Sequence, residues 1–438
     1  MGVKVCKFGG TSLANADQIR KAQQIIESDP ERRYVVPSAP GKRSKDDQKI
    51  TDLLYLCREH ARQGIVFNEV FSLIQQRFEG IASDLGSSVD LGPSLQKIKT
   101  DISEGASADY TASRGEYLNG LIIADLLGFT FIDPADVILF HDNGTFDGER
   151  TQAVLSQKLA ETPKAVVPGF FGALPDGQIK TFSRGGSDIT GAIVARAANA
   201  EVYENWSDVD GLLMADPRIV DNPRSIEVVT YRELRELAYM GATVLHDEAI
   251  FPVRKAGIPV NIRNTNAPEN PGSRIVAEAG PSSSQLGITG IAGRKDFTVI
   301  AIEKALMNTQ IGFGRKLLGV LESNDVSYEH TPSGIDTMSV VMADSQLDGK
   351  LDDVLDGIRV ACKPDSLEVQ SDMALIATVG RGMAHTPGMA GRLFGALANA
   401  NVNVRMIDQG SSELNIIVGV EASDFETAIR AIYSAFVQ

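Results

Sequence analysis

The sequence predicts a large α/β domain around a mainly parallel sheet, followed by two small α+β units. Three observations carry this: β-α alternation over residues 1 to 280, a turn-rich linker near 266–284, and a βαββαβ order that then occurs twice. With 438 residues, 43% of them hydrophobic, the chain exceeds what one core organises, so two or three domains are expected.

The first half opens with strand-like Val3–Phe8, helical Ala16–Glu27, strand-like Tyr34–Ser38 and helical Ile50–Ala61. A polar, helical stretch covers 65–127, with short strands near Ala165–Phe171 and Val202–Trp206 and a helix at Tyr231–Ala238. Strands that read as apolar runs rather than alternating ones belong to a sheet buried on both faces. Periodicity then stops at Asn266-Ala-Pro-Glu-Asn-Pro-Gly-Ser273 and Gly280-Pro-Ser-Ser-Ser284.

Beyond the linker, strand Phe297–Ile302, helix Gly314–Asn324, strands Val326–His330 and Thr337–Met342, helix Leu351–Val360 and strand Ser366–Gln370 make the first unit. The order recurs as Ala374–Val379, Gly388–Ala400, Val402–Ile407, Leu414–Val420 and Phe425–Phe436, without a closing strand. Gly287–Gly293 is a short apolar strand with no partner in its own unit, and pairing it into the incomplete copy predicts two interleaved domains. The expected boundaries are 1–280, 296–370, and 284–295 plus 372–438.

Lys plus Arg number 42 against 57 Asp plus Glu, a formal charge of -15, and the basic residues are scattered. Nucleic acid is therefore not an expected partner. Three separated cysteines and five single histidines have no metal-ligand spacing, so no protein-held metal is expected. The first residues read directly as a strand, with no signal-like h-region, and no apolar run reaches membrane-spanning length. A cytoplasmic protein without membrane contact is expected.

Candidate chemistry begins at Lys7-Phe-Gly9-Gly10-Thr-Ser12, where glycines let backbone N–H groups approach a phosphate and Lys7 adds charge. It is not a Walker A loop: the near miss at Gly41-Lys42 has Val36 in place of the first glycine. A second candidate is Phe182-Ser-Arg184-Gly-Gly-Ser187-Asp188, where Ser187 or Asp188 suits an N-cap of the helical run that follows and Arg184 suits an anion. A third is the carboxylate-dense stretch Ser207-Asp208-Val-Asp210-Gly211 and Ala215-Asp216-Pro217-Arg218, equally readable as Asp-Gly turns. Ser38, Thr51 and Arg114-Gly115-Glu116 read individually as caps or surface residues, and Gly380–His385 as a turn.

Together, Lys-Phe-Gly-Gly-Thr-Ser at the start, Ser-Arg-Gly-Glu at 113–116, Gly-Gly-Ser-Asp at 185–188 and Ala-Asp-Pro-Arg at 215–218 resemble the signatures of aspartate kinases, in family order. The paired βαββαβ units resemble the ACT domains of that family, so the resemblance spans essentially the whole chain. It implies an amino-acid-kinase-like sandwich around the parallel sheet, followed by two ferredoxin-like ACT domains. It also implies transfer of the ATP γ-phosphoryl, with Mg²⁺, to the side-chain carboxylate of L-aspartate, giving 4-phospho-L-aspartate.

By the same resemblance Lys7, Gly9 and Gly10 meet the ATP phosphates and Asp188 orients Lys7. Ser38, Thr51, Glu116, Phe170, Arg184 and Ser187 hold aspartate, while Ser207, Asp208, Asp216 and Arg218 line the nucleotide. The sequence departs from the common pattern at Ser207, Leu213 and Thr243, where Thr, an aromatic residue and Lys are usual. Arg218 is the expected compensating cation. Met307, Gln310, Phe313, Glu329, Ser333 and Asp336 fall where relatives place an effector pocket, for lysine, threonine or both; as plain residues they read as core and turn. Self-association through ACT units into a dimer or tetramer is expected, as is a stand-alone kinase, because no further Rossmann-like segment follows. Competing readings are a kinase of another small acid and a non-catalytic amino-acid sensor.

Overall fold

The computed structural model describes residues 2–183, 185–242, 247–279 and 287–437. Of the expected site residues, Arg184 lies outside them, as does the departure at Thr243. The chain divides into two compact units, Met1–Leu212 with Glu227–Tyr231 and Val244–Ala279, and Leu213–Ile226 with Arg232–Thr243 and Gly280–Gln438.

The first unit begins with β1 (Lys4–Phe8), in which Val5, Cys6 and Phe8 are fully buried. Helix α1 (Ala16–Glu27) starts at Asn15, whose side chain accepts the Gln18 N–H, and buries Ile19, Ala22, Ile25 and Ile26 along one face. After β2 (Arg32–Pro37) come α2 (Ile50–Arg62), α3 (Asn68–Leu85), α4 (Gly92–Ser103) and α5 (Ala108–Leu127). These helices close on a core that includes Leu54, Phe71, Phe78, Leu95 and Leu118. Ser107 caps α5 by accepting the Tyr110 N–H, and the left-handed Gly128 ends it.

Next follow β3 (Thr130–Phe131), α6 (Pro134–Val137), α7 (Gly148–Ala160), β4 (Ala165–Val166), β5 (Phe171–Ala173) and β6 (Ile179–Thr181). Then come α8 (Gly186–Ala197), β7 (Val202–Ser207), β8 (Leu212–Leu213), β9 (Ser225–Ile226), β10 (Val228–Thr230) and α9 (Tyr231–Tyr239). The run ends with α10 (Phe251–Ala256), β11 (Val260–Asn264) and β12 (Ser273–Val276). Eight strands form one sheet in the order β10-β12-β11-β7-β1-β2-β4-β3, with only β11 and β12 antiparallel. In the centre, Lys7 stands opposite Val36 on one side and Asn205 on the other.

The second unit contains β13 (Gly290–Glu303), α11 (Phe313–Ser323), β14 (Thr337–Ala343), α12 (Asp344–Leu347), α13 (Leu351–Cys362) and β15 (Ser366–Val379). It continues through α14 (Met389–Asn399), β16 (Met406–Asp408), β17 (Asn415–Glu421) and α15 (Phe425–Val437). The antiparallel sheet runs β14-β13-β15-β17-β16.

Strands expected as separate are continuous here. Gly290–Arg294 pairs with Leu375–Val379, while Phe297–Glu303 lies between β14 and the first half of β15. An irregularity between Arg294 and Val299, with left-handed Asp296 and Asp372, lets each strand pass from one half to the other.

Three local expectations change. Val326–His330 forms only an isolated bridge, His330 to Val341, because Pro332 and Gly334 interrupt the edge just beyond it. Val402–Ile407 shortens to β16. The segments Leu213–Ile226 and Arg232–Thr243 pack with the C-terminal unit: the Ile291 N–H donates to Met214, and Glu233 accepts from Thr289 and Arg381. No helix among the described residues is long and apolar enough to cross a membrane.

Candidate active site

At the carboxyl end of β1, the Gly9 N–H donates to the Trp206 carbonyl at 2.9 Å and the Gly41 N–H to the Gly10 carbonyl at 2.8 Å. A Cβ on Gly41 would stand 2.5 Å from the Gly10 carbonyl carbon, so only glycine permits this layering of two loops. The Lys7 side chain is buried, and its ammonium lies 2.6 Å from Asp188 Oδ1 and 3.5 Å from Asn205 Oδ1. Asn205 Nδ2 donates to the same Asp188 oxygen at 2.9 Å.

Asp188 comes from the first turn of α8. The N-cap there is not Ser187 or Asp188, as sequence reasoning expected, but Gly185, in the left-handed region at φ 57° with no side-chain cap. A shorter lead-in places Ser187 and Asp188 inside the helix and leaves the first-turn N–H groups without a side-chain acceptor at the cap, the arrangement in which a helix end receives an anion. Phe170, at φ 85°, donates its N–H to Thr190 Oγ1, while a Cβ on Gly169 would meet Ser187 at 2.6 Å. Phe170, Ser187 and Asp188 are thereby gathered at one helix end.

On the other side, α5 presents Glu116 and Asn119, one turn apart and both buried. Asn119 Nδ2 donates to the Ser38 carbonyl at 2.7 Å. A Cβ on Gly115 would stand 2.9 Å from Ala39 and 3.2 Å from Ile50, so α5, the 38–39 turn and the start of α2 with Thr51 meet closely. Among the described residues, Glu116 Oε2 and Asn119 Oδ1 are buried acceptors with no donor. Burial pushes the Glu116 carboxyl up to about 7, against the pull of the backbone at Ala39. Two such acceptors one turn apart on α5 suit a ligand that brings N–H donors.

Other expected residues have surroundings of their own. Arg114 donates to Ser113 and is stacked among Tyr110, Tyr117 and Phe171, which makes it a packing residue. Ser207 and Asp208 belong to the first unit, where the Thr265 N–H donates to the Ser207 carbonyl. Asp216 and Arg218 belong to the second, and Arg218, 88% exposed at its side chain, is engaged with Asp216 at 2.6 Å. The Gly380–His385 turn has a structural duty: Arg381 holds the buried Glu233 carboxylate at 2.9 Å.

Among the effector candidates, Met307 and Phe313 lie in the core with Leu317 and Val340. Gln310, Ser333 and Asp336 are exposed, and Glu329 accepts a hydrogen bond from Tyr239. The Lys304 N–H donates to the Asp336 carbonyl at 2.8 Å, which joins the 304–310 and 333–336 segments. Sequence reasoning missed Asn205, Asn119 and the structural role of Gly41. The available signals were a polar residue in a buried central strand and an Asn three positions after Glu116 on an otherwise apolar helix face.

Residues 2–264 match the amino acid kinase family and residues 376–436 match the ACT domain. The chain belongs to the amino acid kinase family. It is 39% identical to Aspartokinase 3 of Bacillus subtilis, over 99% of this chain and 98% of that one. The crystal structure of Clostridium acetobutylicum aspartate kinase, 55% identical, superposes with a TM-score of 0.93 over 99% of this chain and 100% of that one. E. coli aspartokinase III shares the fold at 23–24% identity: its complexes with aspartate and ADP and with lysine and aspartate have TM-scores of 0.75 and 0.73, each covering 100% of both chains. Within the family, this chain is an aspartate kinase.

Proposed function

We propose that Lys7, Gly9 and Gly10 receive the ATP phosphates beside the N-terminus of α8, and that Glu116 and Asn119 receive the ammonium of L-aspartate. The observation that carries the substrate half is the pair of buried acceptors, Glu116 Oε2 and Asn119 Oδ1, that have no donor among the described residues. A buried polar atom without a partner costs about 1–3 kcal/mol, which an ammonium with three N–H donors removes. Ser38, Thr51, Phe170 and Ser187 surround the rest of the substrate, with Arg184 as the expected clamp for a carboxylate.

The aspartate side-chain carboxylate is ionised at neutral pH, so it attacks Pγ without a general base. One bond forms between a carboxylate oxygen and Pγ, and the bond from Pγ to the β,γ-bridging oxygen breaks, releasing ADP. Lys7 and the first-turn N–H groups of α8 neutralise charge on the transferring group, and positioning supplies the remainder. Among the described residues no three His, Cys, Asp or Glu side chains gather as a metal site, and Mg²⁺ enters as part of the substrate, on the phosphates of Mg·ATP. When bound, it supplies charge neutralisation at those oxygens.

Feedback by an end-product amino acid, with lysine as the effector, fits the second unit. Leu306, Ile311 and Ile335 expose apolar side chains around the 304–310 and 333–336 segments, and Ile311 is 100% exposed, which favours self-association there. The proposed setting is the cytoplasm. The test is formation of an aspartyl phosphate, trapped by hydroxylamine, from ATP, Mg²⁺ and L-aspartate, with and without lysine or threonine. Aspartate-dependent hydroxamate that disappears in Lys7→Ala and Glu116→Ala supports these assignments; activity surviving both substitutions overturns them.

A further inference from the structure

We infer that Asn205 is a positioning residue for phosphoryl transfer, holding the Lys7–Asp188 pair in register without adding a negative charge beside the phosphate. The inference rests on the assignment of Lys7 to the ATP phosphates and adds a residue that the motifs do not contain.

Strand alternation turns Tyr203 and Asn205 towards α8 and turns Glu204 and Trp206 to the opposite face of the sheet. The Tyr203 hydroxyl donates to the Asp188 carbonyl at 3.1 Å and Asn205 Nδ2 to Asp188 Oδ1 at 2.9 Å, so β7 holds both the backbone and the side chain of Asp188. The parallel register sets Lys7 directly opposite Asn205. With Asn205 buried, the amide has one orientation that satisfies both neighbours: Nδ2 towards the carboxylate and Oδ1 towards the ammonium.

Charge explains why an amide serves here. Lys7 already faces one carboxylate, and the pair sums to zero. A second carboxylate at 205 would make the cluster negative at the point where an anionic nucleotide must arrive, and would compete with the phosphate for the ammonium. The amide orients Lys7 through a dipole and, by donating to Asp188 Oδ1, draws charge away from the oxygen that holds it. Lys7 keeps a fixed direction and part of its positive field.

The decisive substitution is Asn205→Asp, equal in size but opposite in electrical consequence, compared with Asn205→Ser, which is neutral and smaller. Kinetics with ATP and aspartate varied separately should show KM for ATP raised about tenfold or more in Asn205→Asp. KM for aspartate should stay within about twofold, because that ligand is assigned to α5. Asn205→Ser should lower kcat about tenfold with both KM values held, as a loss of positioning does. If Asn205 only packs, the isosteric Asp variant is the milder one and both KM values for it stay near wild type; either result overturns the proposal. Should Asn205→Asp fail to fold, a raised KM for ATP in the neutral Asn205→Ser overturns it instead. Lys7→Ala in the same assay separates the two levels: retained activity there refutes the assignment of Lys7, and with it this proposal, whereas an inactive Lys7→Ala beside a mild Asn205→Asp refutes this proposal alone.

Discussion

The two faces of β1 and β7 each hold a buried ion pair, and they are built to opposite ends. On the α8 face, Lys7 meets Asp188, with side chains 10% and 18% exposed; among the described residues the ammonium has only Asp188 and the distant Asn205 amide as partners. On the α1 face, Arg32 meets Glu204, 7% and 4% exposed. There every guanidinium nitrogen is used: Nε and Nη2 on Glu204, and Nη1 on Ile25 and Ser28. Glu204 also accepts from Cys6 and Trp206, so although burial alone would raise its carboxyl, the Arg32 bonds hold it below the usual range. Completed pairing marks a pair that holds the sheet together. Pairing left with spare donors is the arrangement that suits the proposed phosphate contact of Lys7.

The sharpest break between the two faces is Lys7→Ala, which should reduce kcat by about a thousandfold, on the scale of losing a positioned charge at the reacting group, while costing less stability than a break on the α1 face, because Asp188 is 18% exposed and keeps the Asn205 amide. Circular dichroism and hydroxamate trapping on the same preparation check it. Glu204→Ala should do the reverse, lowering stability by about 3–5 kcal/mol through a stranded Arg32 while kcat of the folded fraction stays within a few-fold. Denaturant melts decide this, and Arg32→Met combined with Glu204→Leu should recover most of the loss.

Glu116, on α5, adds a pH dependence to the proposed substrate site. Its carboxyl is raised from 4.5 to about 7, so between those values the folded chain binds the proton that the unfolded chain has released. Stability from this group therefore falls as pH rises through that window and stays lower above it. Glu116→Gln should unfold at a higher temperature than wild type at pH 8 and at nearly the same temperature at pH 4.5. In wild type, KM for aspartate should fall about tenfold from pH 6 to pH 8 as the carboxylate forms, while the Gln variant should show a high, flat KM. The smallest effect belongs to the start of α1: Asn15→Ala, which removes the cap, should cost about 1 kcal/mol of stability without touching activity.

Periodicity made the parallel half and the antiparallel half legible, and the glycine-serine motifs marked the ends of β1 and α8. The α8 cap was misplaced because Ser187 and Asp188 are strong N-cap types, and only the left-handed backbone at Gly185 shows that the helix begins before them. The strand at Val326–His330 was overread because its apolar residues resemble a strand, whereas Pro332 and Gly334 just beyond it leave only isolated bridges along that edge. Arg218 looked like a spare cation, yet Asp216, two residues away, occupies it.

By itself the sequence determined the order of strands and helices, the double α+β tail, and Lys7 as the charge beside two glycines, because helix and strand periods and glycine chemistry are local properties. Only the tertiary structure decided which groups Lys7 would meet. Asn205 lies 198 residues away and reaches it through the register of two parallel strands, and Asn119 is 81 residues from the Ser38 carbonyl that orients it. The turn that the sequence wrote at 380 became a clamp on Glu233, 148 residues earlier. Partners at such separations are chosen by which faces pack together, and no local pattern encodes that choice.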